Sequence, residues 1–347
     1  MIASTGVSTV LPAEWAPQSA VQLTWPRPDG DFARAFDAVE RTFIAIAVAI
    51  AQREPLIIAC GPGAEDLRRR LIGAGAPAMN LRLYEVPAND VWARDHGPIT
   101  VFRDARPLHL DFVFNGWGGK FEASLDNRIT QRLAELGAWP APVESLDFVL
   151  EGGGIESDGL GTLLTTERCL LAPTRNPQFD KAQIETKLKS WFGLQRVLWL
   201  RHGDLIGDDT DGHIDTLARF CNERTIAYQA CEDRDDAHYD ELKAMEAELQ
   251  ALRTLDGAPY RLVPLPLPRA IHDDEGRRLP AGYANFLILN GAVLVPTYGD
   301  ADSDARALAR LRPCFPGREV VGIDCRPLIA QYGSLHCVTM QISSAIR

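Results

Sequence analysis

The chain has 347 residues, 47 acidic against 36 basic side chains, and a formal net charge of −11 at pH 7. Because nucleic-acid binding needs clustered Lys and Arg, this acidic balance argues against a nucleic-acid partner. Hydrophobic residues make up 46% of the chain, as in packed globular proteins. The seven cysteines have irregular spacings without a CxxC pair, which indicates a reduced, cytoplasmic protein rather than a disulfide-bonded secreted one.

The N-terminal residues do not resemble a secretory signal, since no basic stretch precedes an apolar run. The most apolar segment, 43–51, has about half the length that a membrane-spanning helix requires, so it is interpreted as part of a buried helix. We therefore expect no membrane partner. The helix predicted around this segment fits either a core or an interface, which leaves a homo-oligomer open.

Short apolar runs predict strands, and a 3.6-residue apolar period predicts helices between them. The predicted elements are, in chain order, a helix at 31–52, a strand at 56–60, a helix at 63–74, strands at 81–86, 98–102 and 109–114, a helix at 127–137, a strand at 162–166, a helix at 180–192, strands at 196–200 and 213–221, a helix at 236–254, a strand run at 286–296, a helix at 302–312 and a strand at 336–342. This alternation indicates an α/β or α+β protein.

Strand–turn–helix pieces such as LIIACGPGAEDLRRRL (56–71) recur along the chain and suggest a repeated supersecondary unit. No low-complexity linker divides the chain, so two domains and one large repeat-built domain both fit its length. The turn GPGAEDL (61–67) lacks the third Gly of a dinucleotide fingerprint and the Gly-Lys of a P-loop. A glycine turn into a helix is therefore favoured over nucleotide binding.

The acidic segment GDDTDGHIDTLARF (207–220) is the first candidate site. If its second half is a strand, His213 and Asp215 project from the same face. Such a pair suits metal binding or acid/base chemistry on a cation, although a structural hydrogen-bonded pair is about equally common. The spacing of the acids does not match an EF-hand, so a cationic substrate is favoured over a bound calcium ion.

Two tryptophans lie in unusually polar or Gly-rich segments: Trp92 in NDVWARDHGPI (89–99) and Trp117 in DFVFNGWGGKF (111–121). They fit either the core or a surface that stacks on a planar cation. Asp95 lies between Arg94 and a histidine, so it is either paired with that arginine or available to a substrate.

From spacing alone, Cys337 in GSLHCVTMQ (333–341) is favoured only slightly as a nucleophile, because it follows a Gly-containing turn. Cys60 and Cys169 lie in apolar runs and are interpreted as core residues. His336 is not expected to act as the base for Cys337, since adjacent side chains of a strand point to opposite faces.

Taken together and in order, these segments resemble the agmatine deiminase family of guanidino-group-modifying enzymes. The resemblance extends along LPAEWAPQSAVQLTWP (11–26), VWARDHGPI, FNGWGGKF, LEGGGIESDGLGTLLTTERCLL, DDTDGHIDTLARF, YANFLILNGAVLVPTYGD and GSLHCVTMQ. It implies an α/β fold of the pentein type, a five-bladed propeller of pseudo-fivefold ββαβ repeats. It also implies one catalytic domain spanning residues 1–347.

The resemblance implies a role for each of seven residues: the nucleophile Cys337, the general acid/base His213, the histidine-orienting Glu151, the guanidinium-binding Asp95 and Asp215, and the channel-lining Trp92 and Trp117. It implies a small cationic guanidine as substrate and neither a metal nor an organic cofactor. Four positions depart from the usual pattern: Tyr332 for Gly, Met340 for Gln, Asp209 for Glu and Asp211 for Asn. Asp209 is our predicted partner for a distal ammonium group.

The expected reaction is the hydrolysis of agmatine to N-carbamoylputrescine and ammonia through an amidino-cysteine intermediate. One alternative is a deiminase for free or peptidyl arginine, whose carboxylate would call for a Lys or Arg in the channel. A second is a non-catalytic protein that binds small cations in the same acidic pocket. A third is a metal-dependent hydrolase that uses His213, Asp215 and Asp95.

Overall fold

The computed structural model describes residues 8–346. Its strands are β1 Thr9–Val10, β2 Gln18–Thr24, β3 Leu56–Cys60, β4 Leu81–Glu85, β5 Ile99–Arg103, β6 Arg106–Val113, β7 Val143–Val149, β8 Glu156–Ser157, β9 Thr162–Thr166, β10 Arg196–Leu200, β11 Ala218–Asn222, β12 Thr225–Gln229, β13 Arg261–Leu265, β14 Leu287–Leu289, β15 Ala292–Thr297, β16 Glu319–Asp324 and β17 Thr339–Ser343.

Helices connect most of these strands. The α-helices are α1 Phe36–Ala51, α2 Ala64–Gly73, α3 Ala93–His96, α4 Gly116–Gly119, α5 Ile129–Glu135, α6 Glu167–Leu170, α7 Lys181–Phe192, α8 Tyr239–Ala251, α9 Ala301–Leu311 and α10 Arg326–Ile329. The 3-10 helices are Ala33–Ala35, Ala78–Asn80, Asp126–Arg128, Gly152–Gly154, Ile214–Thr216 and Arg312–Cys314.

The strands form five small sheets, ordered β1-β5-β6-β7, β10-β9-β8, β11-β12-β13, β14-β15-β16 and β17-β2-β3-β4. In each sheet an antiparallel pair is extended by a parallel strand. β8 and β9, for example, are antiparallel, and β10 lies parallel to β9 after the crossover helix α7. The same ββαβ pattern recurs in the other sheets. The predicted α/β class and repeated unit are confirmed, while the blade arrangement and the single domain over 1–347 stay predictions.

One unit is assembled from both ends of the described chain. The C-terminal strand β17 pairs antiparallel with the N-terminal strand β2, with Thr339 opposite Leu23, and β2 pairs in parallel with β3. The ladder therefore closes the chain path on itself. It also fixes the backbone that follows Cys337, which precedes β17 by two residues.

Two predicted strands are partly wrong. The segment 213–221 becomes a strand only at Ala218, because the Asp208 carboxylate accepts hydrogen bonds from Gly212 N (2.7 Å) and Thr210 Oγ1 (2.6 Å) and closes a tight turn. His213 therefore immediately precedes a 3-10 helix and Asp215 lies within it, so the two residues do not share a strand face. Likewise, His336 and Cys337 lie in a turn ahead of β17, so the opposite-faces argument does not apply to them.

The apolar segment 43–51 is a buried helix, as predicted: Phe43, Ile46 and Ile50 of α1 are fully buried in the largest apolar cluster. The run 286–296 forms two strands instead of one, because Asn290 and Gly291 make the turn of a hairpin. Within residues 8–346, no helix combines the length and apolar composition needed to cross a bilayer.

We predict that Gly193→Ala lowers the free energy of unfolding by more than Gly137→Ala does. Both glycines have positive φ angles, +66° and +73°, so alanine costs about 1–2 kcal/mol of left-handed strain at either position. At Gly193 a Cβ would also collide with the backbone oxygen of Thr9, whereas nothing lies within 4 Å at Gly137. Urea denaturation of both variants measures the difference, and equal losses would contradict this packing.

Candidate active site

The predicted catalytic and guanidinium-binding residues lie in the connections that lead into the first strand of each unit. Asp95 is in α3 before β5, Glu151 is before β8, His213 and Asp215 are before β11, and Cys337 is before β17. The fifth connection, before β14, supplies Asn285, which sequence reasoning missed although it lies in the YANF motif. Equivalent positions of the repeated unit thus supply all of these side chains.

Asp95 and His213 meet across Gly153. His213 Nδ1 lies 3.6 Å from Asp95 Oδ1, and the Gly153 amide donates to the same oxygen at 3.1 Å. A Cβ on Gly153 would lie 2.5 Å from His213 Nδ1 and 2.9 Å from Asp95 Oδ1, so only glycine permits this approach. The EGGG sequence is therefore a packing requirement of the site.

Asp215 and Asn285 surround the Cys337 thiol. The sulfur lies 3.9 Å from Asp215 Oδ2, and Asn285 Nδ2 donates to it at 3.3 Å. Asn285 Oδ1 also accepts from the Cys337 amide at 3.3 Å, so one side chain holds both the backbone and the sulfur of the candidate nucleophile. The Oδ1 atom of Asp215 is buried without a hydrogen-bond partner among residues 8–346.

The two carboxylates have opposite pKa shifts. Burial raises the pKa of Asp95 to about 6, with His213 opposing the shift and Asp215 adding to it. Burial also acts to raise the pKa of Asp215, but the hydrogen bond and charge of His336 outweigh it and hold that pKa below its ordinary value. Asp215 is therefore the more firmly ionised acid.

The pKa values of the Cys337 thiol and the His213 imidazole are both raised. Burial raises the pKa of Cys337 well above its ordinary value, and the charges of Asp215 and Asp95 add to the shift. Burial acts to lower the pKa of His213, yet Asp95 and Cys169 raise it well above its ordinary value. Without substrate, the neutral thiol and the imidazolium are therefore the favoured forms.

Glu151 is fully buried and paired with Arg175, whose Nε lies 2.9 and 3.0 Å from its two oxygens. Arg175, in the TRNP segment, also donates to Asp211 Oδ2 at 2.7 Å, and its contact with Glu151 was not predicted. The described residues include no hydrogen bond between Glu151 and His213. The predicted orienting role of Glu151 therefore stays a prediction.

Glu151, Cys169 and His213 form the one group of potential metal ligands found in the described range, with ligand atoms within 4.8 Å of one another. The Arg175 guanidinium already neutralises Glu151 and opposes a second cation there. Cys169, expected to be a plain core residue, is fully buried and lies in this group beside His213. These contacts favour a thiol–imidazole environment over a metal centre.

A narrow pocket reaches Cys337 from the surface. It is lined by Asp31, Asp90, Trp92, Asp95, Trp117, Phe121, Asp209, Thr210, Gln331, Tyr332, Gly333 and Cys337. The rings of Trp92 and Trp117 meet edge to face, with centroids 6.4 Å apart. Trp117 Nε1 donates to Asp95 Oδ2 at 3.0 Å, and Trp92 Nε1 donates to Asp90 Oδ2 at 2.7 Å. Both predicted aromatic residues therefore line the pocket.

Three further acids lie on this pocket: Asp31, Asp90 and Asp209. Asp209, predicted to bind a distal ammonium, has its carboxylate 3.9 Å from Lys120 Nζ and is partly neutralised. Burial raises the pKa of Asp90 to about 6, and the nearby Asp31 adds to the shift. None of the lining residues in the described structure is Lys or Arg, so the pocket suits a cation throughout.

The backbone beside this pocket is strained. Five described non-glycine residues have positive φ, and three of them, Trp117, Asp211 and Tyr332, line the pocket or contact a lining segment. Such conformations cost about 1–3 kcal/mol each and persist where surrounding contacts hold them, typically at functional sites.

The chain is similar to known proteins along nearly its whole length. A family model of Porphyromonas-type peptidyl-arginine deiminases matches residues 10–343. An agmatine deiminase of Stutzerimonas stutzeri (strain A1501) is 34% identical, over 95% of this chain and 94% of its own length. A solved structure from Porphyromonas gingivalis, provisionally named an arginine deiminase, is 54% identical with a TM-score of 0.90, covering 97% of this chain and 99% of that one.

A C. jejuni agmatine deiminase variant, solved with substrate bound, is 34% identical to this chain with a TM-score of 0.91 and full coverage of both chains. The expected α/β fold and the family resemblance are confirmed by these matches. The chain belongs to the Porphyromonas-type peptidyl-arginine deiminase family.

Proposed function

We propose that this protein is a deiminase that hydrolyses agmatine to N-carbamoylputrescine and ammonia through an amidino-cysteine intermediate at Cys337. One observation carries the proposal: a single acidic pocket leads to a thiol that lies beside two buried carboxylates. The agmatine deiminases among its relatives support the choice of substrate.

The substrate guanidinium is planar and delocalised, so two carboxylates bind it best in its own plane. Asp95, 4% exposed, and Asp215, fully buried, supply these charges. Removing an unpaired cation from water costs several kcal/mol, and the two acids offset that cost. The ring of Trp117 is oriented by Asp95 and offers the cation an aromatic surface.

Substrate binding also activates the nucleophile. The pKa of Cys337 is raised by burial and by the charges of Asp215 and Asp95. A bound guanidinium neutralises those charges and so favours the thiolate, and the thiol proton passes to solvent as the cation enters, since His213 is already protonated. The sulfur then attacks the central guanidinium carbon, forming the C–S bond of a tetrahedral adduct.

His213, whose pKa is raised by Asp95 and Cys169 against the effect of burial, carries the proton that the leaving nitrogen needs. Its transfer expels ammonia and leaves an amidino-thioether on Cys337. The neutral imidazole then takes a proton from water, whose oxygen bonds to the amidino carbon. The C–S bond then breaks with its electron pair going to sulfur, and the hydroxyl proton of the adduct passes to solvent, which releases the ureido product and restores the thiolate.

The outer acids favour agmatine over arginine. Agmatine ends in an ammonium group, whereas arginine adds a carboxylate that Asp31, Asp90 and Asp209 would repel. We assign the ammonium chiefly to Asp90 and Asp31, because Lys120 partly neutralises Asp209. Asp209 remains a neighbouring contributor.

Replacing the nucleophile is the first test. We predict that Cys337→Ala lowers kcat by at least about 10⁴-fold, because no other group can form the thioether. Cys231→Ala, which removes a buried thiol outside the pocket, serves as the matched control and retains activity. Ammonia release and mass-spectrometric trapping with a haloacetamidine measure the outcome. An active Cys337→Ala enzyme would rule out Cys337 as the nucleophile, whereas a wild type that binds agmatine without turnover would favour the binding-protein alternative.

We predict an acid limb in the pH dependence of kcat/KM for agmatine. Asp95 must be ionised to hold the guanidinium, and its pKa is raised to about 6, so kcat/KM falls about tenfold per pH unit below about pH 6. The profile is repeated in Asp90→Asn, because the Asp90 carboxyl titrates near the same pH. A limb near pH 4 in both enzymes would contradict the shifted Asp95.

Substrate choice is tested with agmatine, arginine and a short peptide ending in arginine. We predict that kcat/KM for agmatine exceeds that for either carboxylate-bearing substrate by about 100-fold or more, as charge mismatch in a pocket costs several kcal/mol. Asp90→Asn is expected to lower the ratio of kcat/KM for agmatine to kcat/KM for arginine about tenfold. The exposed Asp274→Asn is the charge-matched control. A preference for arginine would establish the alternative substrate.

A further inference from the structure

The side chain next to the nucleophile joins two buried acids. His336 is 1% exposed, with Nδ1 2.8 Å from Asp215 Oδ2 and Nε2 2.8 Å from Glu14 Oε2. A carboxylate only accepts hydrogen bonds, so these two contacts need two protons among the three groups. A neutral imidazole between two ionised acids supplies only one, so the two 2.8 Å contacts indicate an imidazolium, although burial, Arg219 and Arg94 lower the pKa of His336.

Glu14 is a fixed anchor for this bridge. Its Oε2 accepts from Arg219 Nη2 at 2.6 Å, and its Oε1 accepts from the Ile288 amide at 2.8 Å. Arg219 is fully buried and also pairs with Glu156 at 3.0 Å. Burial acts to raise the pKa of Glu14, but Arg219 and His336 outweigh it, so this acid stays ionised.

The charges that face His336 come from four segments. Asp215 belongs to a 3-10 helix, Glu14 precedes β2, Arg219 lies in β11, and Arg94 lies in α3 with its Nη2 4.0 Å from Glu14. Each of these charged side chains is buried. The imidazole therefore couples Asp215 to a rigid charged network that lies outside the lining of the substrate pocket.

The two oxygens of Asp215 differ in their hydrogen bonding. Oδ2 is occupied by His336, whereas Oδ1 is buried without a partner in the described part of the chain. Fixing Oδ2 fixes the plane of the carboxylate and the direction in which Oδ1 accepts. A carboxylate without that donor could rotate and lose its fixed position 3.9 Å from the Cys337 sulfur.

We propose that His336 is a positioning residue for the guanidinium: by bridging Asp215 and Glu14, it holds the Asp215 carboxylate beside the Cys337 thiol, where the substrate reacts. This inference rests on the proposed function, because it names how one of the two guanidinium-binding carboxylates is oriented. His336 acts through Asp215 and forms no bond to the reacting atoms.

Two isosteric variants separate this role from simple core filling. The amide nitrogen of Asn reaches about the position of Nδ1, so His336→Asn keeps a donor for Asp215. The amide of Gln reaches about the position of Nε2, so His336→Gln keeps a donor for Glu14. We expect KM for agmatine to rise less than about threefold in His336→Asn and about tenfold or more in His336→Gln, since one charge-assisted bond is lost.

The measurements are kcat and KM for agmatine, the agmatine Kd of each variant carrying Cys337→Ala, and thermal unfolding of both variants. Core filling alone predicts equal KM changes or a larger one for His336→Asn, and either result overturns the proposal. If His336→Gln does not fold, His336→Ala, which removes the donor to Asp215, is combined with Asp215→Asn and the double variant in a cycle on Kd. Additive losses would then overturn it, because residues that act through one another are non-additive.

Failure of this inference is distinguishable from failure of the proposed function. A wild-type enzyme that does not release ammonia from agmatine removes the proposed function itself. A wild type that turns over agmatine while both His336 variants change alike removes only the positioning role. The exposed His272→Gln controls for the loss of a histidine elsewhere.

Discussion

The chemistry of this site depends on two buried carboxylates that lie beside a buried thiol. Asp95 and Asp215 lie in the low-dielectric interior, where Asp95 faces His213 and Asp215 faces His336. Burial disfavours their charges, and each charge disfavours the thiolate of Cys337. A planar cation relieves all of these costs at once, so substrate affinity and nucleophile activation come from the same electrostatic source.

The surrounding protein stabilises this arrangement with fixed hydrogen-bond donors. Asp95 accepts from Trp117 and Gly153, while Asp215 accepts from His336, which is itself held by Glu14. Preorganised donors of this kind need no reorganisation during the reaction. The repeated unit makes the arrangement possible, because each connection into an antiparallel first strand delivers its residue to the same region.

Much of the fold was predictable from local pattern. The strands β3, β9 and β10 lie at their predicted residues, and β3 shows the clearest reason, because its continuous apolar run LIIAC is typical of a strand buried on both faces. The two-residue strands β1 and β8 carry too little pattern to be predicted. The turn around Asp208 was missed because its side-chain hydrogen bonds compete with strand pairing, which apolar periodicity does not register.

The sequence by itself determined the repeated α/β units, the acidic Trp-rich segments and, through their order, the candidate residues Cys337, His213, Asp95 and Asp215. Only the tertiary structure decided which partner each one has. Arg175 reaches Glu151 across 24 positions, and Glu14 reaches His336 across 322. Contacts over such separations depend on the closure of β17 onto β2 and on the convergence of five connections, which no local pattern in the chain encodes.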